Sequence, residues 1–293
     1  MPYFLEYIRK AAVLIEALPY IQKFHGAIVV IKLGGSILED PEIFSAVLRD
    51  IVFLESVGQH PVIVHGGGKD ISARLKAQGI ETRFIDGLRY TCEKTIEVVD
   101  DVLHAEVNPR IVNAIHAAGG KAGQLSGKQV LEARKLESDS GADLGYVGDV
   151  TRVDIEPIRK MIRNDIVPVI TPVARDAHGQ AFNINADVSA CRIAQALKAR
   201  KLVFFSDVPG LLRDPQDESS LISTIRADAI ESLIAEGVIQ GGMIPKIRSA
   251  VEALAHGCEQ VHLIDARLQH AILLEIFTDE GVGTQILPAA TDS

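Results

Sequence analysis

The chain has 293 residues, 47% of them hydrophobic, enough for one large α/β domain or two closely joined lobes with a substantial core. Its formal charge of −9 disfavours attraction to a polyanion, so nucleic acid is not an expected partner, although a local basic pocket for a small anion is compatible with that balance. The 3 cysteines, Cys92, Cys191 and Cys258, are widely spaced and leave one unpaired in any disulfide scheme, so each reads as a small buried apolar residue of a protein in a reducing, cytoplasmic compartment.

The first residues, MPYFLEYIRKAAVLIEALPY, are interrupted by Glu6, Arg9, Lys10 and Glu16 and show no cleavage pattern, so they do not read as a leader. No run reaches the length of a membrane span. Leu5, Ile8, Ala12 and Ile15 recur at helical spacing and predict an amphipathic helix that Pro19 ends or kinks. This helix precedes any strand, so it either folds back on its own domain or contacts another subunit.

From residue 27 a repeated grammar begins. AIVVIKLGG is an apolar, β-branched run ending in glycines, and DPEIFSAVLRDIVFLESVG follows as a helix with Asp40 as N-cap, Pro41 at the first helical position and Gly58 as terminator. PVIVHGGGKDISARLKAQG repeats the pattern, as do IVPVITPV, the stretch from Asn183 to Leu212, and EQVHLIDARLQHAILLEIFTDEG. A long amphipathic stretch from about Glu93 to Ala118 carries Val98, Val102, Val107, Ile111 and Ile115. Continuous apolar strands alternating with helices predict an α/β fold, a three-layer αβα sandwich around a mostly parallel open sheet. The polar segment VARDAHGQA predicts a junction of two lobes, giving an N-terminal helix over 1–25 and lobes over 26–177 and 178–293.

In such sheets ligands collect at the carboxyl ends of the strands. Three of these ends are glycine-rich or polar: Lys32-Leu33-Gly34-Gly35-Ser36, His65-Gly66-Gly67-Gly68 and Ser206-Asp207-Val208-Pro209-Gly210. Glycines ahead of a helix let backbone N–H groups approach an anion, and the helix N-terminus adds partial positive charge. A single Gly-Gly is more often just a tight turn; two such loops with a lysine in the first carry more weight. Lys32 ends an otherwise apolar strand, where a solvated charge is rare. Lys246, in Gly241-Gly242-Met243-Ile244-Pro245-Lys246, sits in a first helical turn whose dipole repels cations, so it calls for an anion. No G-x-x-x-x-G-K-[ST] and no G-x-G-x-x-G ahead of a helix occurs, which excludes Walker-type and protein-kinase arrangements. His65 and His262 lack any metal-ligand spacing, so satisfied structural histidines are expected and no protein metal site.

Lys32-Leu33-Gly34-Gly35, His65-Gly66-Gly67-Gly68, Asp86-Gly87-Leu88-Arg89, Asn183-Ile184-Asn185-Ala186-Asp187, Ser206-Asp207-Val208-Pro209-Gly210 and Gly241 to Lys246 together resemble the amino-acid kinase family, in its N-acetyl-L-glutamate kinase branch. The likeness runs in order from about residue 11 to 286. It implies transfer of the γ-phosphoryl of ATP, with Mg²⁺ bound on the nucleotide, to the side-chain carboxylate of N-acetyl-L-glutamate in arginine biosynthesis. By resemblance Lys32, Asp187 and Lys246 are catalytic, with Asp187 organising the two lysines. Gly67, Gly68, Arg89, Asn183 and Asn185 would bind the acceptor, and Gly34, Gly35, Ser206, Asp207 and Gly210 the nucleotide, which makes 1–25 an interface helix, 26–177 the acceptor-binding and dimerisation lobe and 178–293 the nucleotide-binding lobe. The ending FTDEGVGTQI and the Ala17-Leu18-Pro19-Tyr20-Ile21 segment look like the arginine-regulated form. That form implies an inhibitor site at Tyr20, His262, Glu275 and Gly281, a hexamer built as a trimer of dimers, and attachment of a PII-type regulator.

Several positions depart from the pattern. Ser36 stands where asparagine is commoner, Lys69-Asp70 where Pro-Gln is usual and Tyr90 where valine is common, and Gln129 to Arg134 lack an expected Asp-Gly-Asn. These departures keep two alternatives open: a sister kinase for another acylated amino acid, such as an aminoadipate or a carrier-linked glutamate, or a catalytically silent amino-acid sensor.

Overall fold

A computed structural model of the chain describes residues 4–138, 140–278 and 281–290. An eight-stranded sheet runs in the order Thr224–Arg226, Thr284–Leu287, Gln260–Asp265, Lys201–Ser206, Ile28–Leu33, His60–His65, Val167–Ile170, Ala122–Leu125. Every neighbouring pair is parallel except Gln260–Asp265 with Thr284–Leu287. Successive side chains of a strand point to opposite faces. Accordingly Val30, Val62, Val64, Leu202 and Phe204 pack in one core beneath the helices Ala186–Leu197 and Met243–Ala255. Their neighbours Val29, Ile31, Ile63, Val203 and Phe205 pack in the other with Pro41–Ser56, Asn108–Ala117 and Ala271–Phe277. This is the three-layer αβα sandwich that the alternation predicts.

Local chemistry sets the element ends as expected at the first repeat. The Asp40 carboxylate accepts from the N–H groups of Glu42 at 2.9 Å and Ile43 at 3.0 Å, and Pro41 occupies the first helical position. Such a cap stabilises a helix by about 1 kcal/mol. The stretch from Glu93 to Ala117 is helical throughout, but its middle, Val102–Val107, is a π-helix. Its buried residues Val98, Val102, Leu103, Val107, Ile111 and Ile115 stay against the core through this wider turn.

Three regions differ from the sequence reading. The N-terminal helix, Leu5–Phe24, runs through Pro19 instead of ending there, because its last turn is anchored: Phe24 is buried, with the ammonium groups of Lys201 and Lys23 over its ring at 5.0 and 5.5 Å. Its earlier turns do not fold back on the domain, and Leu5, Ile8 and Ile15 are 55%, 60% and 68% exposed. A second sheet, in the order Ala181–Asn183, Val173–Arg175, Leu131–Lys135, Gly148–Val153, lies largely where the apolar pattern predicts no strand. The segment VARDAHGQA is the hairpin of this sheet, its turn closed by Asp176 accepting from His178 and Gln180 N–H groups at 2.8 and 2.9 Å. Strands from before and after it share the large sheet, since Ile28–Leu33 bonds directly to Lys201–Ser206. Cys92 is only half-buried, its Sγ 3.2 Å from Thr95 Oγ1, whereas Cys191 and Cys258 are buried as expected.

Candidate active site

Lys32 is carried on the central strand Ile28–Leu33, Asp187 in the first turn of Ala186–Leu197, and Lys246 in the first turn of Met243–Ala255. The fold brings the three together: Lys32 Nζ lies 2.8 Å from Asp187 Oδ1 and Lys246 Nζ 3.5 Å from Asp187 Oδ2, with all three side chains under a fifth exposed. Lys246 also stands over the Phe204 ring at 5.6 Å. Burial pushes the Asp187 carboxyl up, but Lys32 and Lys246 outweigh burial and hold it below the usual carboxylate range. The trio therefore carries one net positive charge in a poorly solvated place, a setting suited to an anion. The helix N-cap here is Asn185, not Asp187 or Asn183: Asn185 Oδ1 accepts from the N–H groups of Asp187 at 2.8 Å and Val188 at 3.3 Å.

Lys32 opens onto a cavity of about 600 Å³ walled by the glycine loops and by Arg89, Asn183 and Asn185. Gly35, Gly67 and Gly68 line it, while Gly34 lies one residue back as the N-cap of the short helix Gly35–Glu39. Gly67 is a place of close approach: a Cβ there would meet Leu103 Cδ2 at 2.6 Å and Val107 Cγ2 at 3.3 Å, so those side chains would have to shift. Arg89 is 9% exposed and holds the wall in place, donating to Gly68 O at 2.8 Å and Ser72 Oγ at 2.9 Å and stacking 5.0 Å from the Phe84 ring. A guanidinium has five N–H donors in a planar fork, so part of it stays available to a carboxylate. Asn183 is tied at the back, Nδ2 donating to Thr91 Oγ1 at 3.2 Å.

The residues read as nucleotide-binding do not all share this cavity. Asp207 lines it. Gly210 lines a neighbouring hollow of about 330 Å³ walled by Val208, Pro209, Leu211, Val238 and Met243, which is apolar enough for a flat ring. Gly210 has φ +135, and a Cβ there would meet Thr284 Oγ1 at 2.6 Å, so no other residue fits. Ser206 lines neither space, and its hydroxyl donates to Val208 O at 3.2 Å, holding the loop between them.

The departures from the family pattern separate as well. Lys69 lines the cavity and is ion-paired with Glu39, which follows the other glycine loop. Asp70 turns away to Arg110, Tyr90 lies under the Arg83 guanidinium, and Leu131–Lys135 is a strand of the second sheet. Of these departures Lys69 therefore borders the cavity and Asp70, Tyr90 and residues 131–134 do not; for Ser36 only the backbone is described.

Tyr20, His262, Glu275 and Gly281 converge on a separate cavity of about 160 Å³ between the end of the N-terminal helix and the edge of the sheet. Asp279 and Glu280, in the FTDEGVGTQI motif, lie outside the described residues. His262 Nδ1 is 2.6 Å from Glu275 Oε1, and Glu275 Oε2 accepts from the N–H groups of Val282 at 2.7 Å and Gly283 at 3.0 Å. Burial pushes Glu275 up, but these bonds outweigh it and leave the carboxyl lowered, while burial lowers His262. Lys201, unremarked in the sequence reading, belongs here: its Nζ is 3.2 Å from His262 Nε2, and burial pushes it down to about 8. A lysine opening the buried strand KLVFFS is the same signal that singled out Lys32. Among the described residues no group of three or more His, Cys, Asp and Glu side chains stands at metal-binding distance, and no helix is long and apolar enough to cross a membrane.

Comparison with known proteins agrees with this architecture. The amino acid kinase family model matches residues 27–265. The acetylglutamate kinase of Heliobacterium modesticaldum is 47% identical over 293 residues, covering 97% of this chain and 99% of that protein. The acetylglutamate kinase of Caldanaerobacter subterraneus subsp. tengcongensis is 48% identical over 280 residues, covering 95% and 93%. Among solved structures, N-acetylglutamate synthase from Neisseria gonorrhoeae complexed with coenzyme A and N-acetyl-glutamate superimposes with a TM-score of 0.83 at 26% identity over 96% of this chain. This chain spans only 64% of that synthase. The same synthase complexed with coenzyme A and L-arginine gives 0.79 at 25% identity, and isopentenyl phosphate kinase, at 20% identity and 0.61, shares the fold. The chain belongs to the amino acid kinase family and is a phosphotransferase. Within that family its sequence places it among the acetylglutamate kinases.

Proposed function

We propose that the chain transfers the γ-phosphoryl of ATP to the side-chain carboxylate of N-acetyl-L-glutamate, forming an acyl phosphate for arginine biosynthesis. The observation that carries this reading is the Lys32–Asp187–Lys246 trio at a cavity walled by two glycine loops and Arg89. The likeness to acetylglutamate kinases supports the choice of acceptor.

In this mechanism an acceptor carboxylate oxygen forms the new P–O bond while the bond from the γ-phosphorus to the bridging oxygen breaks, its electron pair leaving on ADP. The carboxylate is already ionised at neutral pH, so no general base is needed. What remains is to align the reacting oxygens and to neutralise the charge spread over the transferring group. Lys32 and Lys246 supply the cations, and Asp187 holds both without exchanging a proton. The N–H groups of the glycine loops face the phosphate oxygens, and Arg89 takes the α-carboxylate with its free N–H groups, beside Asn183. The apolar hollow at Gly210 takes the base of the nucleotide, with Asp207 on the phosphate side. Mg²⁺ neutralises charge on the phosphates when bound; Asp187 is occupied by two lysines, so the ion is expected to arrive with the nucleotide and keep its waters. Trapping with hydroxylamine tests the product: the enzyme, ATP and acetylglutamate are expected to yield a hydroxamate, and ADP without hydroxamate would contradict an acyl phosphate.

Arginine is the proposed inhibitor at the second cavity, where Glu275 faces a cation and Lys201 an anion, with the exposed N-terminal helix joining subunits into a hexamer. Attachment of a PII-type regulator is part of the same reading. Millimolar arginine is then expected to raise the apparent KM for acetylglutamate. Deleting residues 1–25 is expected to remove that response and to shift the mass measured by light scattering from hexamer to dimer. An arginine response unchanged by the deletion, or none in the full chain, would remove this part of the proposal.

A further inference from the structure

His65 and Asn108 lie beneath the triple-glycine loop, both fully buried, and the proposed chemistry uses neither directly. Their bonding determines its own protons. Asn108 Nδ2 faces Val169 O at 2.8 Å, and a carbonyl oxygen only accepts, so the atom facing it is the amide nitrogen. The same nitrogen faces His65 Nε2 at 3.2 Å, so Nε2 must accept and carry no proton. The proton is then on Nδ1, which donates to Gly66 O at 2.8 Å. Burial lowers His65 to about 4, which agrees with a neutral ring. Asn108 follows directly on the π-helix Val102–Val107, whose Leu103 and Val107 fill the space beneath Gly67. One segment therefore meets the loop three times: Leu103 and Val107 against Gly67, and Asn108 through the imidazole against Gly66.

We infer that Asn108 and His65 are positioning residues. Asn108 fixes the imidazole as the Nδ1–H tautomer, and that proton pins the Gly66 carbonyl away from the cavity so that the following N–H groups of the loop face it. The π-turn is what brings Asn108 into register with the end of the strand; an uninterrupted α-helix would rotate it off this face. The inference rests on the glycine loop serving the phosphotransferase site. A misplaced loop acts on the reacting geometry, so the loss falls mainly on kcat, by about 10- to 100-fold.

The test pairs nitrogen NMR of the histidine rings with kinetics in the wild type, Asn108→Asp and Asn108→Ser. The wild type is expected to show His65 as a neutral Nδ1–H ring at neutral pH, with or without nucleotide. An ionised aspartate at 108 can only accept from Nε2, so above the carboxyl's pKa His65 is expected to move to the Nε2–H or doubly protonated form, with kcat down about 10- to 100-fold and KM changed far less. The serine variant is expected to lose kcat in the same sense, and it carries the comparison alone if the aspartate variant does not fold. A wild-type ring protonated on Nε2 would overturn the inference, as would a folded variant whose kcat stays within about twofold of wild type. The spectrum needs no acceptor, and turnover is read with whichever acceptor the wild type phosphorylates, so failure of the acetylglutamate reading is distinguishable from failure of this one.

Discussion

Replacing Lys32 or Lys246 with alanine is expected to lower kcat by about 10²- to 10³-fold each, the usual cost of removing one preorganised group that meets charge developing in the transition state. Lys32 should show the larger loss, because it lines the cavity itself and is the closer of the two to Asp187, 2.8 Å against 3.5 Å. The KM for acetylglutamate should change little in either variant, since Arg89 holds the acceptor by its α-carboxylate, away from the reacting oxygens. The double variant is expected to lose less than the product of the two single losses, because groups acting as one unit are not additive. Steady-state kinetics of the three variants checks this; a single variant within about threefold of wild type in kcat would place the transferring phosphoryl elsewhere.

Asp187→Ala is expected to lower kcat by about 10²-fold although Asp187 never touches the transferring group in this account. Without the carboxylate the two ammonium groups repel each other and swing apart, so their alignment is lost. A fully buried pair broken on one side costs about 3–5 kcal/mol; here all three side chains keep some contact with solvent, so about 1–2 kcal/mol of stability is expected to be lost. The pH dependence has a definite sign. Asp187 is held below the ordinary carboxylate range, so its contribution to stability is fully present above the unfolded pKa near about 4 and is lost only as pH falls through the lower folded value. Denaturation midpoints of wild type and variant should therefore differ by a constant amount from neutral pH to about 5 and converge only in stronger acid. A difference that grew between pH 6 and 8 would point to a titrating partner other than Asp187.

Much of the architecture was legible because it is written in local periodicity. The apolar runs at Ile28–Leu33, His60–His65 and Lys201–Ser206, with glycine, proline and Asp40 at the element boundaries, announce a parallel sheet covered on both faces. Lys32 and Lys246 stood out because a charge that ends a buried strand or opposes a helix dipole needs a partner, and both find it in Asp187, which only the family resemblance had singled out. Asn185 was read as an acceptor-binding residue; its capping bonds to Asp187 and Val188 were not legible, because three neighbouring residues could all have served as the cap. The second sheet was not legible either. Leu131–Lys135 alternates buried and exposed residues, but its partners are Gly148–Val153 and Val173–Arg175, and pairing over that distance leaves no local signature. The π-turn left none either, because Leu103 to Val107 is an ordinary helical step. For the N-terminal helix the sequence shows an apolar stripe but not what covers it; in the single chain Leu14 remains 67% exposed.

The most direct test of the central claim is an ADP-release assay with wild-type enzyme, ATP and Mg²⁺ across acetylglutamate, glutamate, aspartate and acetylaminoadipate. Release with acetylglutamate is expected to exceed release with the other three by orders of magnitude and to vanish in the Lys32→Ala, Lys246→Ala double variant. Release no faster with acetylglutamate than without any acceptor, or activity that survives both substitutions, would contradict it.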